Sequence, residues 1–220
     1  MELPSSVSVS DYGNLAYLGA GLQINHFSPG TPESLAALSM PTTPPEPRDP
    51  ESFFGRAEEL EAAKVLLLDG ASGLWVEGAM GVGKSELARH LARELQREGI
   101  TVWWVRAVDN QTILGPLVSI AYQAGAQEQD FRYMHPADAF WRAVTRWPQR
   151  WCIVLDDWAA DDIGGAMAAA SRWIRTPPSN GRFLVTSVRR PGIEFPWFTL
   201  LELRHLAVRP AAQVLVSYAQ

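Results

Sequence analysis

The sequence predicts an α/β fold, a parallel sheet flanked by helices on both faces. Two observations carry that expectation. From residue 51 onward, short apolar runs alternate with segments of helical period. The runs are almost uniformly apolar rather than alternating with polar residues, the mark of strands covered on both sides.

The elements follow in order. Residues 57–68 have Leu60, Lys64 and Leu67 on one side with Ala63 between them, a helical spacing. GLWVE (73–77) is a short apolar run that ends at glycines, as a buried strand would. In residues 85–98, Leu87, Leu91 and Leu95 recur every fourth position, and Gly99 is a natural helix stop. ITVWWVRA (100–107) predicts a second strand, and 112–124 and 136–147 predict helices. WCIVLDD (151–157) is a third strand, 163–174 a helix, RFLVTSV (182–188) a fourth strand and FTLLEL (198–203) a fifth. A last helix starts near Pro210.

Residues 1–50 differ from the rest. They are rich in Ser, Pro and Gly, hold one mildly apolar stretch (LAYLGAGLQINHF) and finish in PTTPPEPRDP. Proline removes donors and fixes φ, so that end predicts an extended linker. The apolar stretch suits a short hairpin, a partner-binding segment or a poorly ordered tail, the last being preferred. The expected organisation is a low-complexity segment and linker over 1–50, an α/β domain over 51–208, and a short C-terminal segment over 209–220.

With 47% hydrophobic and 20% charged residues, the chain suffices for one sizeable core. A formal charge of −5 gives no general attraction to nucleic acid or anionic lipid. Cys152 is the only cysteine, so an internal disulfide is excluded, and its apolar setting predicts an inert buried thiol. No secretory signal is evident at the N-terminus, and no run approaches the roughly 20 apolar residues that span a bilayer. A cytoplasmic protein is the expectation.

The chemistry concentrates in GAMGVGKS: Gly78, Ala79, Met80, Gly81, Val82, Gly83, Lys84 and Ser85. Glycines let the backbone aim several N–H groups at one anion, and the following helix adds its positive end. Lys84 is spaced to reach the outer phosphates of a nucleotide, and the Ser85 hydroxyl to ligate Mg²⁺. Glu86, next in line, joins the set that would line the nucleotide. A glycine-rich turn that binds nothing is the competing reading; the strand before the octet and the helix after it argue against that. A second half of such a site is a carboxylate at the end of an apolar strand, which Asp156 supplies for the metal. Asp157 suits orienting or deprotonating a water, or equally serves as a loop or cap carboxylate.

Together these residues resemble the STAND class of P-loop NTPases, signalling switches that include NB-ARC and NACHT proteins and are related to AAA+ ATPases. FFGRAEEL (53–60) is similar to the class's segment before the phosphate loop, implying that Phe54, Gly55 and Arg56 approach adenine. IVLDDW is similar to its acid-bearing strand, and RFLVTSV to its sensor strand. The likeness runs over roughly residues 51–216. It implies an ATP or ADP ligand with Mg²⁺, a nucleotide-binding domain over 51–208 and the start of a truncated helical lid over 209–220.

Departures from the class pattern carry consequences. Ala57 stands where the class has Glu. Val188 replaces the arginine that the class has after Thr186-Ser187 to touch the γ-phosphate, and Arg189, followed by Arg190, is the candidate to take its place at the nucleotide. Alternation along a strand would aim Arg189 at the opposite face unless a bulge or loop begins at Val188. Arg56 is a further source of charge. The chain stops at Gln220, early in what the class uses as a lid, which suggests either a fragment of a longer product or a stripped module.

Nine tryptophans invite over-reading. Trp75, Trp103, Trp104 and Trp151 are expected in the core, Trp141, Trp147 and Trp173 against the sheet, and Trp158 in the core or beside the nucleotide. The four histidines lack metal spacing, and His90 is expected at the surface.

Three functions follow, in order: an ATP/ADP-binding signal-transduction switch with slow or absent hydrolysis; an active P-loop ATPase or phosphotransferase using Lys84 and Asp157; a non-catalytic interaction module with structural nucleotide. A protein partner or self-association is implied by the first and third. No nucleic-acid or membrane partner is expected.

Overall fold

The computed structural model describes residues 17–18, 21–22, 41–47, 53, 55–108, 110–158, 172–190 and 195–217. In the N-terminal region, β1 (Tyr17–Leu18) pairs antiparallel with β2 (Gly21–Leu22), the short hairpin among the readings of that stretch. The main sheet contains β3 (Gly73–Glu77), β4 (Thr101–Arg106), β5 (Trp151–Trp158), β6 (Gly181–Ser187) and β7 (Phe198–Glu202). All its pairings are parallel and the order is β4-β5-β6-β3-β7, so β4 and β7 are the edges.

The helices are α1 (Ala57–Leu68), α2 (Lys84–Arg97), α3 (Asn110–Gln123), α4 (Glu128–Tyr133), α5 (Pro136–Arg146) and α6 (Val208–Ser217). The helix expected over 163–174 lies almost wholly outside the described residues. The six-residue α4 was not expected; it is too short for a periodic signal, and Gln127 with Asp130 forms a capping box at its start.

Alternation along the strands divides the core into two layers. On one face, Leu74, Val76, Cys152, Val154 and Leu184 pack against Leu87, Ala88, Leu91 and Leu95 of α2, with Ala63 and Leu67 of α1 behind them. On the other, Trp75, Trp103, Trp151, Ile153 and Phe183 meet Leu117 of α3, Phe131 of α4 and Phe140, Trp141 and Val144 of α5. Helices therefore cover both faces, as expected for strands that read as uninterrupted apolar runs. Each fully buried large side chain contributes about 1.5–3 kcal/mol relative to exposure. Trp147 and Trp173 pack on the second layer from outside, and Trp158 is in the core beside Trp75. Cys152 is fully buried, and desolvation pushes its thiol up to about 12.

One expectation needs correction, and one segment shows contacts that composition does not reveal. His90 is buried, because Phe53 stacks on its imidazole at 4.2 Å and closes it from solvent. The proline-rich segment is docked where residues 41–47 are described. The Thr42 carbonyl accepts from the Trp104 amide at 2.7 Å, along the open edge of β4. The Thr42 hydroxyl meets Gln123 at 2.9 Å, and Gln123 in turn accepts from the Trp103 indole at 2.8 Å.

Candidate functional site

The phosphate loop leaves β3 at Glu77 and enters α2 at Lys84. Gly81 and Gly83 adopt φ of 77° and 101°, conformations that side-chain-bearing residues rarely adopt, so glycine at these points permits the turn. Gly78 is required for a different reason. A Cβ there would collide with the carbonyl of Leu203, whose amide bonds the Glu77 carbonyl at 2.7 Å.

Lys84 is buried, and its ammonium donates to the Gly78 and Ala79 carbonyls, each at 2.9 Å. Desolvation lowers its pKa, and the carboxylates of Asp157 and then Asp156 act against that shift. Met80 at the loop's crown is exposed, while Val82 is buried in the α2 layer. Ser85 stands at the second position of α2, and Glu86, next along, pairs with Arg89 at 2.7 Å.

The acids enter from β5. Asp156 is buried and its Oδ1 accepts from the hydroxyl of Thr186 on β6 at 2.7 Å. Asp157 is exposed and has a φ of 60°; among the described residues it is the one non-glycine with positive φ. Its backbone amide donates to the same Thr186 hydroxyl at 2.9 Å. Thr186 was not singled out from the sequence, although its neighbourhood to Asp156 follows once β5 and β6 are known to pair.

Beyond β6 the chain bends. The strand ends at Ser187, and Val188 is half exposed at the start of the bend. Arg189 offers its carbonyl to the Trp75 indole at 2.7 Å, and its amide meets the Ser187 hydroxyl at 3.2 Å. Arg190 turns back on Glu77, with Nε at 2.9 and 3.0 Å from the two carboxylate oxygens. Glu77 shares its face of β3 with Trp75, the aromatic face, whereas Asp156 and Thr186 continue the α2 face. Glu77 was not anticipated as part of this region, nor was its pairing with Arg190.

Arg56 is buried against the opposite flank of the loop. Its guanidinium donates to the Val82 carbonyl at 3.3 Å, to the Arg204 carbonyl, and to Glu59 at 2.7 Å. Gly55, with φ of 68°, lies against Pro210 at the head of α6, so residues 55–56 join the phosphate loop to the C-terminal segment. Phe54 lies outside the described residues.

The donor set fits a Mg²⁺–nucleotide. Such a metal takes one or two protein ligands with phosphate and water filling the rest, which Ser85 and Asp156 can provide. A cage of three or more His, Cys, Asp or Glu side chains is absent among the described residues.

The chain has the P-loop NTPase fold. Its structure is similar to that of the Aeropyrum pernix ORC1 protein in complex with DNA, with a TM-score of 0.53 and 18% identity over 77% of this chain and 50% of that one. It is also similar to a Walker-type ATPase of Pyrococcus abyssi, with a TM-score of 0.52 and 14% identity over 79% of this chain and 59% of the other. A signal transduction ATPase with numerous domains and a tetratricopeptide repeat sensor, from Pyrococcus horikoshii, matches with a TM-score of 0.50 and 16% identity over 82% of this chain and 26% of that chain. The chain thus spans from about a quarter to about three fifths of these proteins' lengths. No protein-family model and no curated protein matches it. Among the described residues, no helix is long and apolar enough to cross a membrane.

Proposed function

We propose that this chain binds an adenine nucleotide with Mg²⁺ and acts as a cytoplasmic signal-transduction switch domain in which hydrolysis is slow or absent. One observation supports the reading most: the groups suited to phosphate and metal share one face, while Arg190, beyond β6, is tied to the other. Lys84, Asp156 and Thr186 stand on the α2 side, and Arg190 is held by Glu77 on the aromatic side. Retention of the lysine and the acid favours binding. With Val188 in the place of the class's arginine and Arg190 held by Glu77, a terminal phosphate would draw less arginine charge from this end of β6, and charge that stabilises a transition state must be positioned in advance. In this reading residues 51–208 form the nucleotide domain and α6 begins a lid that Gly55 and Arg56 connect to the phosphate loop. The first 50 residues would recruit a protein partner.

An active ATPase is the second reading. It is favoured by the exposed position of Asp157 and its electrostatic influence on Lys84. Denaturing the purified protein, identifying released nucleotide and following phosphate release with ATP and Mg²⁺ distinguishes the two. Retained ADP with negligible turnover supports the switch. Steady turnover lost in Asp157→Ala moves the ATPase to first place, and no affinity for adenine nucleotides at micromolar concentration removes both.

A further inference from the structure

The β5–β6 register contains an irregularity at the site. Leu155 pairs with Val185 and Trp158 pairs with Ser187, so two residues of β5, Asp156 and Asp157, oppose the single residue Thr186. This is the count of a β-bulge, which re-aims side chains at the end of a ladder. Its effect is readable in the core. Strict alternation after Leu155 would send Asp157 into the aromatic layer and Trp158 to the α2 face. Instead Trp158 rejoins the aromatic layer, its carbonyl accepting from the Ser187 hydroxyl at 2.9 Å, and Asp157 remains exposed. An ionised carboxylate in that layer would be strongly disfavoured, so the extra residue lets two consecutive acids coexist with a continuous aromatic core.

Something must hold the bulge in its left-handed turn at Asp157. Thr186 is fully buried, and its hydroxyl donates to the Asp156 carboxylate while accepting from the Asp157 amide. One proton and one lone pair therefore set two things: the orientation of the acid suited to the metal, and the backbone conformation of the acid beside it. We propose that Thr186 is the positioning residue of the site, fixing Asp156 and Asp157 together and thereby setting affinity for the divalent cation. The cation part rests on the nucleotide–Mg²⁺ reading; the hold on the bulge does not.

The test uses the full chain with Thr186→Val, which keeps the shape and removes the hydroxyl, and Thr186→Ser, which keeps the hydroxyl. Thr186→Ala repeats the first in case valine prevents folding. Amide exchange at Asp157 is read by NMR on nucleotide-free protein. A fluorescent ADP analogue is then titrated in EDTA and across a Mg²⁺ series. Loss of the hydroxyl should speed Asp157 exchange by at least about tenfold and raise the Mg²⁺ midpoint by about five- to tenfold, the scale of one hydrogen bond to a charged group. Affinity in EDTA should stay within about twofold, and serine should restore both readouts. Unchanged exchange and an unchanged midpoint in folded Val and Ala variants would overturn the proposal. So would an equal loss of affinity with and without Mg²⁺, the pattern of general damage. If the wild type binds no nucleotide, the nucleotide reading and the cation role of Thr186 both fall, and exchange at Asp157 decides the hold on the bulge.

Discussion

The two faces of the sheet are built differently and end differently. The face under α2 is mainly aliphatic, with Leu74, Val76, Val154 and Leu184 beneath Leu87 and Leu91. The opposite face is aromatic, with Trp75, Trp103, Trp151, Trp158 and Phe183 under α3 and α5. At the C-terminal ends of the strands, the aliphatic face closes in Asp156 and Thr186 beside the phosphate loop. The aromatic face closes in Glu77 paired with Arg190 and in Ser187 bonded to Trp158. Strand parity thus assigns chemistry as well as packing. The first face keeps a lysine, an acid and a hydroxyl suited to a metal-bound phosphate, and the second spends its charges on each other.

The difference can be broken at its strongest point first. Lys84→Ala removes the charged donor of the aliphatic-face site and should weaken adenine-nucleotide binding by about 10- to 100-fold in a calorimetric titration. Moving charge between faces is the next test. Val188→Arg places a guanidinium at the half-exposed start of the bend, two residues beyond Thr186, and should raise preference for ATP over ADP by about three- to tenfold in competition titrations. Arg190→Ala, by contrast, removes a largely exposed partner of Glu77 and should change nucleotide affinity by less than about twofold and stability by less than about 1 kcal/mol. A large loss of affinity in Arg190→Ala would mean that the aromatic-face arginine serves the phosphate after all.

The smallest effect concerns the outer helices of the aromatic face. Burial, with the nearby Arg172, holds the His135 pKa below the ordinary 6.5, and the neutral ring accepts from the Ala137 amide at 3.1 Å at the head of α5. Between the folded value and 6.5 the unfolded chain binds more protons. This contribution is therefore fully present above pH 6.5 and is lost as pH falls through that value towards the folded pKa. Denaturant midpoints at pH 7.5 and 5.5 should differ less in His135→Asn than in the parent.

The sheet and the phosphate loop were largely legible in sequence because both rest on local pattern. β3 and α1 match the expected spans, α2 differs by one residue at each end, and β5 extends one residue past its expected end. What escaped depends on contacts between distant segments. His90 reads as a surface residue until Phe53 is laid over it. The Thr42 segment has the composition of a linker, and its backbone bond with Trp104 and side-chain bond with Gln123 leave no mark in that composition. The aim of the arginines after β6 turned on where the strand ends. The loop that begins at Val188 was among the possibilities, but the grip of Glu77 on Arg190 needs the β3–β6 pairing to be known. The bulge at Asp156–Asp157 is invisible to alternation, since one extra residue leaves the apolar run before it unchanged.

The most direct measurement is a crystal structure of the chain with ADP and Mg²⁺. The diphosphate should lie against the backbone of residues 80–85, with Lys84 moved from the Gly78 and Ala79 carbonyls onto phosphate oxygen, the metal beside Ser85 and Asp156, and Arg190 still on Glu77. A nucleotide bound elsewhere, or Lys84 still on those carbonyls with no phosphate in the loop, would contradict the account.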